Sequence, residues 1–176
     1  FIRNYGQYKP NPAHMALAEL ESMGIVRSII TQNIDGLHTE AGSKNVIEIH
    51  GTIREIDCQS CRRRYIAPNI PKGDTPYCES CGGVLKPNTV LFGEQLPYEA
   101  LVRSQEEAAM YCSVMLVVGT SANVYPAAGL PELAKQNGAS IIEINLARAF
   151  PKVDYFIGEK AGTALPRLVE EIKKLF

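Results

Sequence analysis

Short apolar runs rich in β-branched residues alternate along this chain with longer stretches whose apolar positions recur every three or four residues. The first such stretch follows Asn11-Pro12, a pair suited to an N-cap and a first helical position. His14, Leu17, Ala18 and Leu20, with Met15 alongside, then keep a helical spacing that stops at Met23-Gly24, where glycine suits the C-terminal cap. A strand is expected over Val26–Thr31, a short helical turn over Leu37–Ala41 closed by Gly42, and a second strand over Val46–His50. Apolar patterning lapses from Thr52 to about Thr89 and returns at Val90-Leu91-Phe92-Gly93-Glu94. Pro97–Met110 predicts an amphipathic helix with Leu101, Val102, Ala108 and Ala109 on its buried face. Val114–Val118 is apolar throughout, as in a strand buried in a parallel sheet. A helix from Pro126 to Gln136, a buried strand over Ser140–Ile144, a short strand over Tyr155–Ile157 and a helix over Leu165–Leu175 complete the pattern. Strands and helices alternating at these spacings predict an α/β fold with a parallel sheet and helices on both faces.

The segment from Thr52 to Thr89 has a different character. Arg54, Arg62, Arg63, Arg64, Lys72, Gly73, Gly82 and Gly83 replace the apolar runs, and Pro68, Pro71 and Pro76 argue against a long regular element. Cys58-x-x-Cys61 and Cys78-x-x-Cys81 stand 16 residues apart in this segment. Two such knuckles can close a tetrahedron of thiolates around one zinc ion. Four reduced cysteines without a metal, or two disulfides, are the alternatives. With four protein ligands no position is left for water, so the expected zinc is structural. A small metal-stapled module, residues 52–89, is therefore expected within a larger domain made of residues 1–51 and 90–176. Cys112, in an apolar run, is read as a buried small hydrophobe rather than a fifth ligand.

Composition narrows the function classes. At 176 residues, 45% hydrophobic and 21% charged, the chain is an ordinary globular one. A net charge of −1 predicts no direct binding to nucleic acid or to an anionic membrane. The basic run Arg62–Arg64 reads as a solvated face rather than a contact for an acidic partner. No apolar run approaches the roughly 18–20 residues that span a bilayer. No signal-peptide pattern is read at the start, and an odd set of five cysteines with two metal-type pairs fits a reducing compartment, so a cytoplasmic protein is expected.

The chemistry collects where the apolar runs end. Gln32, Asn33 and Asp35 follow the first strand, His50 the second, Gly119-Thr120-Ser121 the third and Asn145 the fourth. Ligands of open α/β sheets sit at the carboxyl ends of the strands, so one rim carrying all four groups would form a small-molecule site. Gly119-Thr120-Ser121 could bind phosphate or ribose oxygens, or simply cap the helix that follows. His50 is the candidate base, since a free imidazole exchanges protons near neutrality, although a structural role suits a strand-end histidine too. His38 is expected to order its loop and His14 to pack. Asp35 can cap a helix, contact a ligand, or do both.

Several motifs together resemble those of sirtuins, the NAD-dependent protein-lysine deacylases, most closely the bacterial and archaeal type. They are Thr31-Gln-Asn-Ile-Asp-Gly-Leu-His38, Glu48-Ile-His-Gly51, the two C-x-x-C pairs, Pro87-x-x-Val-Leu-Phe-Gly-Glu94, Gly119-Thr-Ser121 with Val124-x-Pro126, and Ile144-Asn145. The resemblance implies a Rossmann-like domain with an inserted zinc ribbon, and NAD+ and an acyl-lysine protein or peptide meeting between them. It implies attack of the acyl oxygen on C1′ of the nicotinamide ribose, loss of nicotinamide, and proton acceptance by His50 from a ribose hydroxyl, giving the free lysine and an O-acyl-ADP-ribose. Gln32 and Asn33 then resemble the ribose-side amides, Asn33 with a catalytic part, and Ile34-Asp35 the contact to the nicotinamide carboxamide. Gly119, Thr120, Ser121 and Asn145 resemble the groups holding the adenosine half and phosphates, and Ala161 a position against the adenine. Val90, Phe92, Gly93 and Glu94 resemble the strand that pairs with the substrate peptide, an edge addition, with Phe92 lining the acyl-lysine tunnel.

The chain departs from the family at its start, where sirtuins have a strand, a glycine-rich Gly-Ala-Gly-x-Ser turn and a loop with Asp-Phe-Arg. The expectation is a sirtuin N-terminally incomplete by roughly 50 residues, with a gap in the sheet between the Val26 and Val114 strands and impaired NAD+ binding. Alternatives are a catalytically impaired zinc-containing peptide-binding module, an ADP-ribosyltransferase and a zinc-ribbon nucleic-acid binder, the last weakened by the charge. The sequence carries no sign of acyl preference or oligomeric state.

Overall fold

Asn11 opens the first helix, α1 (Pro12–Ser22), as its sequence demands: the carboxamide oxygen accepts from the Ala13 and His14 amides at 2.9 and 3.3 Å. His14 completes the cap by accepting from the Asn11 amide through Nδ1 at 3.2 Å. The computed structural model describes residues 8–67 and 76–175. Pro68, Pro71, Lys72 and Gly73 of the expected insert lie outside the described residues.

Strand β1 (Ile29–Thr31) pairs in parallel with β2 (Val46–Glu48), and the short helix α2 (Leu37–Glu40) lies between them in the chain. After β2 the chain enters an antiparallel sheet of order β4-β3-β5, formed by β3 (Gly51–Cys58), β4 (Arg64–Ile66) and β5 (Leu85–Thr89). The expectation of no long element in this segment fails at β3, which runs eight residues before the first proline. Helix α3 (Tyr98–Met110) leads to a second parallel sheet of order β6-β7-β8: β6 (Val114–Val118), β7 (Ser140–Ile144) and β8 (Tyr155–Ile157). Between β6 and β7 a 3₁₀ turn over Ala127–Gly129 precedes α4 (Leu130–Gln136). The single helix expected from Pro126 breaks here because Pro131 has no amide to continue it back into the turn.

The last helix, α5 (Ala161–Lys173), starts a turn earlier than expected and contains Pro166. Its first turn is kept because Ala164 and Leu165 are buried against α1, in a cluster with Ala13, Ala16, Leu20, Ile144 and Val169. Leu20, Leu165 and Val169 are essentially without exposure, each contributing about 1.5–3 kcal/mol. A second cluster joins α3, α4 and the parallel strands through Ala108, Val117, Leu130, Ala134 and Ile141. The antiparallel sheet has a cluster of its own: Ile56, Cys58, Tyr65, Cys78 and Leu85.

The parallel strands do not form one ladder. Among the described residues β1 pairs with β2 alone and β6 with β7 alone. The two sheets meet through side chains instead. Val26 packs on the cluster that includes Leu116 and Val118, and Ile30 on the one that includes Val117. Among the described residues β6 has no neighbour besides β7, and Val114, expected to be buried, is 55% exposed.

Candidate functional site

Gly51 sets the geometry of the first cluster. Its φ of +73° lies in the left-handed region, and a Cβ there would collide with the Asn88 main-chain carbonyl of β5. The sharp turn it permits leaves His50 at the end of β2, with the His50 carbonyl accepting from the Val90 amide at 3.0 Å. The half-buried His50 ring reaches back across the sheet, placing Nδ1 3.1 Å from the main-chain oxygen of Gln32. A carbonyl oxygen only accepts, so Nδ1 carries the proton and Nε2 presents a lone pair. Asn33, exposed, follows with its amide donating to the Thr31 hydroxyl at 3.0 Å. The Ile34 carbonyl accepts from the Ile53 amide at 2.9 Å, tying this loop to β3. Asp35, one residue before the N-cap Gly36, accepts from the Leu37 amide at 3.0 Å at the start of α2.

Asn145 organises the second cluster. Its Nδ2 donates to the Thr120 carbonyl oxygen at 2.6 Å, joining the loop after β7 to the loop after β6. Gly119 turns out of β6 with φ +58°, the Thr120 hydroxyl accepts from the Ala122 amide at 3.1 Å, and Ser121 is exposed. Ala161 is the first residue of α5 and packs on the α1–α5 cluster. The structure thus brings Gln32 together with His50, and Thr120 with Asn145. Among the described residues these two clusters stand on separately paired sheets, with no ladder from β1 to β6.

Val90–Glu94 also differs from expectation. Strand β5 ends at Thr89, and the Glu94 amide donates back to the Leu91 carbonyl at 2.9 Å, making a turn rather than a strand. The Glu94 carboxylate accepts from the Leu91 amide at 2.9 Å and pairs with Lys86 at 2.6 Å. These bonds hold Glu94 below the usual carboxylate range, the Lys86 contact most strongly. Phe92 at the tip is fully exposed, so it lines no closed tunnel here.

In the antiparallel sheet the Sγ atoms of Cys58, Cys61, Cys78 and Cys81 all lie within 4.8 Å of one another. Cys58–Cys81 and Cys61–Cys78 are separated by 3.5 and 3.6 Å. A disulfide needs about 2.05 Å, whereas the edge of a zinc–thiolate tetrahedron with 2.3 Å bonds is about 3.8 Å. The quartet fits a zinc ion, and its four sulfurs close the coordination sphere. Tyr65, which the sequence reading passed over, stands behind it. Its hydroxyl accepts from the Glu79 amide at 3.0 Å and lies 3.2 Å from Cys78 Sγ, drawing that thiol down to about 6. Cys112 packs at the edge of the α3–α4 cluster, where burial pushes its thiol up.

His14, expected to pack, lies against His38 with ring centroids 4.7 Å apart and planes tilted by 58°. A side chain with no expectation attached is Glu143, fully buried in β7. An acid inside the run Ile141-Ile-Glu-Ile144 is the one sequence signal that could have marked it.

A family profile, that of the Sir2 family, matches residues 2–126. The chain belongs to the Sir2 family. Among its Sir2 relatives, the NAD-dependent protein deacylase 2 of Pyrobaculum aerophilum is 50% identical over 94% of this chain and 67% of its own length. The NAD-dependent protein deacylase of Pyrococcus furiosus is 47% identical over 99% of this chain and 72% of its own. A Sir2 structure solved with a p53 peptide and NAD+ superposes with a TM-score of 0.88 at 37% identity, over 96% of this chain and 72% of that one. The Sir2 fold, with its parallel α/β sheets and its four-cysteine zinc module, is the fold described above.

Proposed function

We propose that this chain is an NAD+-dependent protein-lysine deacylase, moving the acyl group of a modified lysine to ADP-ribose with release of nicotinamide. The observation that carries the proposal is the His50 ring. Its Nδ1–H is committed to the Gln32 carbonyl, so Nε2 is the free acceptor that a general base requires. NAD+ supplies the electrophilic C1′ of its nicotinamide ribose and a stable leaving group. His50 accepts the proton of a ribose hydroxyl. Gln32 and Asn33 hold the ribose side, with Ile34 and Asp35 toward the nicotinamide carboxamide. Gly119, Thr120, Ser121 and Asn145 hold the adenosine half and phosphates, and Ala161 lies toward the adenine.

The acylated protein or peptide is received at Val90, Phe92, Gly93 and Glu94. An exposed apolar tip on a turn fastened by Glu94 supports that assignment. Zinc at Cys58, Cys61, Cys78 and Cys81 stiffens the module, residues 52–89, against the NAD+ domain, residues 1–51 and 90–176; the separate antiparallel sheet and cluster favour this division. No helix of the described residues is long and apolar enough to cross a membrane. Four thiols kept as metal ligands favour a cytoplasmic location, and the near-zero net charge favours a protein rather than a nucleic-acid partner.

The test is nicotinamide release from NAD+ with and without an acetyl-lysine peptide. Release that depends on the acylated peptide is expected. Release that is equal with unmodified peptide, or absent across a panel of acyl groups, overturns the proposal.

A further inference from the structure

Glu143 is the fourth of the five residues of β7 and has no exposed surface. A buried carboxyl group is costly unless its oxygens are hydrogen-bonded. Here Oε1 accepts from the Ala149 amide at 2.6 Å and from Asn145 Nδ2 at 3.3 Å, and Oε2 accepts from the Phe150 amide at 3.3 Å. Every donor belongs to the loop that follows β7, and every one is a neutral N–H group. The same Asn145 Nδ2 donates to the Thr120 carbonyl at 2.6 Å, and Asn145 Oδ1 accepts from the Leu146 amide at 2.9 Å. A chain of hydrogen bonds therefore runs from inside the sheet, through Asn145, to the loop after β6.

We propose that Glu143 is a positioning residue for nucleotide binding: its carboxylate fixes the 145–150 loop and the Asn145 carboxamide, and through them the Thr120 segment. The proposal rests on the reading that Asn145 and Gly119–Ser121 hold the adenosine half of NAD+. Glu143 itself touches no ligand. It acts by sparing the two loops an ordering cost on binding, which weakens affinity when lost without altering the chemistry at His50. Leucine at this position fills a similar volume but leaves three donors unpaired, whereas glutamine keeps one accepting oxygen.

The experiment compares Glu143→Leu, Glu143→Gln and Asn145→Ala with the parent chain, using initial rates and calorimetric titration with ADP-ribose. Glu143→Leu is expected to raise the KM for NAD+ about tenfold, equivalent to about 1.4 kcal/mol, with kcat and the peptide KM within about twofold. Glu143→Gln is expected to recover most of that loss. A role in packing alone predicts leucine to equal or surpass glutamine, and that order overturns the proposal. If Asn145→Ala leaves NAD+ affinity unchanged, the assignment of the adenosine side fails. If Asn145→Ala weakens it and Glu143→Leu does not, the positioning role alone fails. Hydrogen exchange in the parent chain decides the matter if neither Glu143 variant folds. The Ala149 and Phe150 amides must then be protected like the core of β7, and exchange at the rate of exposed amides contradicts the proposal.

Discussion

His50 and Gln32, just past the ends of two neighbouring parallel strands, are joined by a 3.1 Å contact from ring Nδ1 to main-chain oxygen. Because the acceptor is a carbonyl, this contact fixes both the tautomer and the tilt of the ring. His50→Ala should lower turnover by about 10²–10⁴-fold while NAD+ affinity changes less than threefold. Nitrogen-15 spectra of the parent chain should show the proton of the neutral ring on Nδ1. A proton on Nε2 would contradict the assignment.

Gly51 is strained against β5 if it gains any side chain, and it stands next to the base. Gly51→Ala must abandon a φ of +73° or displace the Asn88 carbonyl. A cost of about 1–3 kcal/mol is expected, read as a lower denaturation midpoint. Because the same turn aims His50, turnover should fall even at temperatures where the variant is fully folded.

A zinc ion at the cysteine quartet would hold the antiparallel sheet together, since two of the five buried residues in its cluster belong to that quartet. The protein should contain one zinc ion per chain by elemental analysis, and a strong chelator or Cys78→Ser should unfold this sheet. Tyr65→Phe removes the hydroxyl that faces Cys78 at 3.2 Å. Metal affinity is expected to drop about 10–100-fold while the fold is retained at saturating zinc.

The neighbouring pair His14 and His38 predicts a loss of stability in mild acid. Burial holds both imidazoles below the ordinary value near 6.5, and for His38 the neighbouring His14 adds to the effect, while Asp35 opposes it for both. Above pH 6.5 neither state binds the proton and the pair contributes nothing to the slope. As pH falls through that value, the unfolded chain takes up protons that the folded chain resists, so folding stability declines. Urea midpoints at pH 7.5 and 5.5 should differ more for the parent than for His38→Gln. Equal differences would exclude the pair as the source.

Much of this arrangement is written in local patterns. Val114–Val118, Ser140–Ile144 and Tyr155–Ile157 form strands with the expected limits because contiguous β-branched or aromatic runs end at turn residues. The cysteine quartet was legible because thiolate spacing is dictated by the metal. Strand β1 begins at Ile29 rather than Val26, since its ladder starts only where the Ile29 amide meets the Asn45 carbonyl. That partner lies across a loop and carries no periodic signal. The same holds for Tyr65 behind Cys78 and for Glu143 beneath the 145–150 loop. Each is defined by the partner its side chain meets in space, which hydropathy does not encode. The division of the polar rim into two clusters depends on which strands pair, a property of the sheet and not of any one strand end.

Acyl transfer to ADP-ribose can be followed directly with an isotopic label. A peptide carrying carbon-13 acetyl-lysine would be incubated with the protein and NAD+ and the products weighed by mass spectrometry. Labelled O-acetyl-ADP-ribose is expected in equal amount to nicotinamide and deacetylated peptide, with none from His50→Ala. Labelled free acetate as the first product, formed without matching nicotinamide, would contradict it.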